Sequence, residues 1–119
     1  MGRTYRANKP RVEPFDINYA GADILGIISF HAGYHNKKLE ANNKKYNITD
    51  RKPSTYFIAS RVECMDHASA IQDLTPFNLL TIYNRCISEK LFEGSFQDFK
   101  ELVNQWINFL WSCDGYRVD

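Results

Sequence analysis

Residues 75–112 read TPFNLLTIYNRCISEKLFEGSFQDFKELVNQWINFLWS, and this stretch decides the fold class. Thr75-Pro76 offers a side-chain oxygen at a helix N-cap and a proline at the first helical position, where its missing N–H is not needed. Leu79, Leu80, Ile82, Tyr83, Cys86, Ile87 and Leu91 then recur at helical spacing and form one continuous side. Gly94-Ser95 breaks the pattern, and Ser95 with Asp98 restarts it as an aspartate version of the capping box. Phe96, Phe99, Leu102, Val103, Trp106, Ile107, Phe109, Leu110 and Trp111 cover an arc of about 200° at 100° per residue. Asp114-Gly115 is the stop signal. A two-residue link between two such helices predicts an antiparallel hairpin.

Upstream the pattern is looser. Residues 54–72 read as a helix with Ser54 as N-cap and an apolar side of Phe57, Ile58, Cys64, Met65, Ala68 and Ile71, although Tyr56-Phe57-Ile58 is strand-like. Residues 42–53, NNKKYNITDRKP, are polar, basic and closed by proline, hence a loop. Residues 17–46 place Ile17, Ala20, Ile24, Ile27, Ile28 and Leu39 on one side of a helix, against three glycines that each cost about 1 kcal/mol relative to alanine. The alternative is a strand over 24–31 with a turn at Ala32-Gly33. Residues 1–16 read as an extended arm, with room for a short strand, packing through Tyr5, Val12 and Phe15, with Asp16 or Asn18 as the cap of the first helix. The expected fold is therefore mainly α: an arm over 1–16 and a single helical domain over 17–119, a bundle of about four helices. The α+β alternative pairs 24–31 with 54–62 as strands and keeps the C-terminal hairpin.

An apolar content of 44% with 8 Phe, 7 Tyr and 2 Trp supports a packed core in a chain of 119 residues. No run approaches the roughly 20 apolar residues of a membrane span, and MGRTYRANKPR lacks the apolar segment of a secretory signal. Cytoplasmic residence is expected. Cys64, Cys86 and Cys113 are an odd, widely spaced set, which fits small buried hydrophobes better than disulfides.

Charge is polarised beneath a net total of +1. Residues 1–61 hold 11 Lys/Arg against 5 Asp/Glu, and residues 62–119 hold 4 against 9. Such a dipole steers encounters without identifying the partner. Several polar groups also project onto apolar helix sides: His31 and His35 on the first helix, Arg61 and Gln72 on the second, Lys90 on the third. Buried polar groups need partners. Either they pair within the core, or His31, His35, Arg61 and Lys90 line a cationic cleft for an anion or an acidic loop.

His31-x3-His35 with Glu63-x3-His67 is an alternative metal set, because two imidazoles on one helical face and a carboxylate or imidazole from another suit zinc or iron. His67 and Glu63, however, project away from the side that faces the first helix, so no metal or other cofactor is expected. No nucleophile elbow, phosphate-binding glycine loop or HExxH arrangement occurs.

Lys37, Lys38, Lys44, Lys45, Arg51 and Lys52, with Arg3, Arg6, Lys9 and Arg11 and the interleaved Tyr5, Tyr34, Tyr46 and Tyr56, give a nucleic-acid alternative in which rings stack on bases. An isoelectric point of about 7.7 is below the strongly basic range of dedicated nucleic-acid binders. Phe109 and Trp111 flank the last helix's apolar arc on opposite edges, which a single facing layer does not cover, and aromatic side chains anchor interfaces. The function expected is a small non-catalytic binding protein of inhibitor, immunity or accessory-subunit type. It would contact a protein through Phe109, Trp111 and the six residues Lys37, Lys38, Lys44, Lys45, Arg51 and Lys52, with self-association through opposite charges as a further expectation.

Overall fold

The computed structural model describes residues 2–34, 36–48 and 55–119. Five helices and four strands occur among them in the order β1 (Gly2–Ala7), β2 (Phe15–Asn18), α1 (Tyr19–His31), α2 (Asn36–Lys45), β3 (Ile58–Ala59), α3 (Arg61–Gln72), α4 (Pro76–Ser88), α5 (Phe96–Ser112) and β4 (Tyr116–Val118). The fold is mainly helical with an antiparallel sheet of order β2-β1-β4-β3, so it is neither a pure bundle nor limited to about four helices.

The extended N-terminal segment contributes two strands. β1 is central, pairing Tyr5 with Phe15 on one side and with Val118 on the other. Alternation turns Tyr5 inward onto Trp106 of α5 at 4.9 Å between ring centroids, edge to face, and Tyr116 meets Tyr5 at 5.1 Å. Phe15 from β2 reaches Trp106 at 5.2 Å, and Phe109 stacks beside it at 5.9 Å. The core thus lies between this sheet and α5, flanked by α1 and α3. On α5, the N-terminal Phe99 and Phe96 pack with Tyr83 of α4, and Phe99 also packs with Phe92.

Helix starts match the caps. Thr75, Ser95 and Asn18 cap α4, α5 and α1, with Asn18 Oδ1 accepting from Gly21 N–H at 2.7 Å. The cap of α3 is Ser60, while Ser54, the expected cap, lies outside the described residues: Ser60-Arg61-Val62-Glu63 is a full capping box, in which Ser60 Oγ accepts from Glu63 N–H and Glu63 Oε1 accepts from Ser60 N–H. Tyr56–Ala59 consequently stays outside the helix, and β3 at its end pairs with β4, not with residues 24–31. Those residues are helical, burying Ile24, Leu25 and Ile28 at helical spacing. Gly21 is needed there, since a Cβ would stand 2.2 Å from the Ile17 side chain where β2 turns into α1. The single helix expected over 17–46 is two helices, separated at Gly33 with φ of 94°.

The α4–α5 link is longer than the sequence suggested, because α4 ends at Ser88. Lys90 adopts a left-handed conformation (φ 59°), its N–H bonding Ile87 O and that of Leu91 bonding Cys86 O. Glycine usually occupies this position because it alone adopts the conformation without strain. Lys90→Gly is expected to stabilise the protein by roughly 1 kcal/mol, the cost of a left-handed L-residue, read as a higher urea midpoint at unchanged slope. An unchanged or lower midpoint would contradict that assignment.

Candidate functional site

α2 carries the sequence NKKLEANNKK. Burying Leu39, Asn42 and Asn43 turns Lys37, Lys38, Lys44 and Lys45 to solvent. Lys38 Nζ lies 4.4 Å above the Tyr34 ring and Lys45 Nζ 5.2 Å above that of Tyr46, distances at which an ammonium is held by the ring quadrupole. Facing α2 is the first part of α3. Glu63, fixed by the capping box, also accepts from Asn42 Nδ2 and from Tyr46 OH, and so fastens α2 to α3.

Between the two helices is a cleft of about 320 Å³, lined by Tyr34, Lys38, Asn42, Lys45, Tyr56, Glu63 and Asp66 together with Ala41. Tyr34 and Tyr56 meet edge to face at 5.8 Å, and His67 packs on both, 4.5 Å from Tyr34. Burial raises both phenol pKa values above the ordinary value, and the carboxylates of Asp66 and Glu63 add to the rise.

His67 is fully buried, and its Nε2 lies 2.9 Å from Ser29 Oγ. Ser29 spends its only proton on Leu25 O at 2.8 Å, so His67 must donate from Nε2, leaving the Nδ1 lone pair without a partner. This serine–histidine pair therefore has the wrong proton placement for an activated nucleophile, and neither side chain reaches solvent. Burial, helped by the Lys38 charge, lowers the imidazole to about 4. Cys64 and Cys113 are buried with their sulfurs 3.6 Å apart, and contact with Cys113 together with burial pushes the Cys64 thiol up. Cys86 is also buried and free.

The other expected site residues fall apart, and most do so at helix ends. His31 is the last residue of α1, Arg61 the first of α3, and Lys90 lies beyond α4; all three are exposed. Arg61 faces Asp114 at 3.7 Å, and Lys90 borders a groove shared with Asp16 and Glu93. An inward cationic cleft does not form from these three, because side chains at helix termini reach water. Nor do His31, Glu63 and His67 converge: among the described residues no three His, Cys, Asp or Glu side chains are placed to hold a metal ion. His35, Arg51 and Lys52 lie outside the described residues.

Phe109, expected at an interface, is buried against Phe15, Trp106 and Tyr116, because the sheet supplies the second covering layer. Trp111 is 43% exposed, with its indole N–H donating to Gln72 Oε1 at 3.0 Å. Tyr5, Tyr34 and Tyr56 are buried, which leaves Tyr46 as the only half-exposed ring of the four named for base stacking. Among the described residues no helix is long and apolar enough to cross a membrane.

A second surface lies outside the expected site residues, although Leu80 and Ile87 belong to the side of this helix that the sequence reads as apolar. Phe77, Leu80 and Ile87 are 76%, 42% and 38% exposed along the outward side of α4. Phe77 was legible, since it projects about 180° from Cys86 at 100° per residue. The cleft residues Tyr34, Tyr56 and Asp66 were not, because they come from three segments that only the fold unites. No family model, curated protein or solved structure matches the chain.

Because the folded His67 titrates near 4 and an unfolded one near 6.5, the unfolded chain binds the extra proton first. Its contribution is fully present above pH 6.5 and is lost as pH falls towards 4, amounting to about 3 kcal/mol. His67→Gln keeps an N–H donor for Ser29 but does not titrate. Urea unfolding at about pH 7 and about pH 4.5 is expected to show a smaller acid loss in the variant than in the parent. Equal losses would overturn this reading.

Proposed function

We propose that the chain is a small non-catalytic binding protein that works by occupying a protein partner's surface, as an inhibitor, immunity factor or accessory subunit does. The observation that carries this reading is the exposed apolar row Phe77, Leu80 and Ile87 on α4. Burying such a side chain is worth roughly 1.5–3 kcal/mol, so the row leaves several kcal/mol unused in the isolated chain. Apolar area concentrated on one face marks interaction sites more than scattered residues do. Arg85 is the only charged residue within α4, and it is tied to Glu89 at 2.6 Å. The row itself is uncharged and suits an apolar groove that accepts one helix.

The exposed lysines of α2 supply long-range attraction for an acidic partner, acting on encounter rate more than on affinity. Three free buried cysteines suit a reducing, cytoplasmic setting.

The test is a photo-crosslinking amino acid at position 80, on the row, or at position 108, on the polar side of α5, in the cell that makes the protein. A discrete heavier adduct is expected from position 80 only. Phe77→Asp, which suits the first turn of a helix electrostatically, is expected to weaken partner binding at least tenfold, on the order of a hot-spot loss, at unchanged fold. No adduct at position 80, or equal adducts from both positions, would overturn the proposal.

A further inference from the structure

The α2–α3 cleft holds charges of both signs that do not pair with one another. Lys38 and Lys45 line it from α2, Glu63 and Asp66 from α3. Among the described residues none of the four forms an ion pair, unlike Arg6 with Asp119, Arg61 with Asp114 and Arg85 with Glu89. Exposed charges of opposite sign gain little by pairing, so these groups stay available to a ligand. Here Glu63 is held back by the capping box and by Asn42, and the two ammonium groups rest on tyrosine faces.

The unused hydrogen-bonding capacity has a matching polarity. Asn42, which lines the cleft and is only 7% exposed, has a buried Oδ1 with no donor. Asp66 accepts no hydrogen bond from a described residue. Both ask for N–H donors. Lys38 and Lys45 ask for a carboxylate, having six ammonium protons between them and no hydrogen-bonded acceptor among the described residues. Tyr34 and Tyr56 contribute aromatic surface to the lining.

We infer that the cleft binds a free α-amino acid as its zwitterion. The ammonium group meets Asp66 and Asn42 Oδ1, the carboxylate meets Lys38 and Lys45, and the side chain lies against the tyrosines. A space of about 320 Å³ accommodates a molecule of this size and is at the small end of ligand pockets. A simple anion would leave the orphaned acceptors unsatisfied, and a simple cation would face two lysines. This site is separate from the α4 surface, and its failure would not touch the reading of that surface.

The experiment is a titration of the full chain with each standard L-α-amino acid, monitored by amide chemical shifts in residues 34–45 and 63–67. At least one amino acid is expected to shift these resonances saturably. Its methyl ester, lacking the carboxylate charge, and its N-acetyl derivative, lacking the ammonium, are each expected to bind at least tenfold more weakly, about the value of one charged hydrogen bond. Asp66→Asn and Lys38→Gln, both on exposed side chains, are expected to weaken binding similarly while leaving the rest of the spectrum unchanged. Absence of saturable shifts with every amino acid would overturn the inference. So would an ester or an N-acetyl derivative that binds as tightly as the parent.

Discussion

The indole of Trp106 is the point at which separate parts of the chain are held in register. Tyr5 from β1, Phe15 from β2 and Tyr116 from β4 all pack on or beside it, in the edge-on or tilted arrangements that aromatic rings favour. The ring is completely buried. Through it the sheet is fastened to α5, and α5 in turn sets where α3 and α4 lie. Two polar bonds repeat the tie: Tyr5 OH shares a proton with Thr55 Oγ1 at 2.6 Å, and Tyr116 OH donates to Tyr56 O at 3.0 Å. These bonds hold the segment that brings Tyr56 to the α2–α3 cleft, so the packing of the core and the shape of the cleft have one origin.

The C-terminal helices were legible because their signals are local. Thr75-Pro76 and Ser95 with Asp98 state where each helix begins, and apolar spacing states which way it faces. Ser60 and Glu63 carry an equally local signal, which the strand-like and helix-like character of residues 54–59 obscured. Beyond a short strand in the N-terminal arm, the sheet was not legible. β1 and β2 pair across a short stretch, but β4 joins residues far apart in sequence, such as Arg6 with Arg117, and β3 and β4 are two and three residues long. Periodicity needs a longer run than that. Missing the sheet then misplaced Phe109, whose cover comes from β2 and β4.

The same long-range closure changes what the charge division means. Arg6 meets Asp119 and Arg61 meets Asp114, so part of the basic half is neutralised by part of the acidic half within one molecule. These exposed pairs contribute little stability. They do reduce the charge left to act at a distance, and α2 is where basic side chains remain concentrated. Two distinct surfaces result: a polar cleft beside that helix, and an apolar ridge on α4.

The pairing of β1 with β4 bears on how quickly the native state can be reached. Tyr5 and Val118 are neighbours in the sheet although most of the chain separates them. Closing so large a loop costs entropy before any contact rewards it, and folds rich in such pairings are slow. α4 and α5, neighbours in the chain, can pack on each other while β1 still lacks a strand on one side. Until β4 arrives, that bare ladder edge is the part of the chain most exposed to pairing with the wrong neighbour.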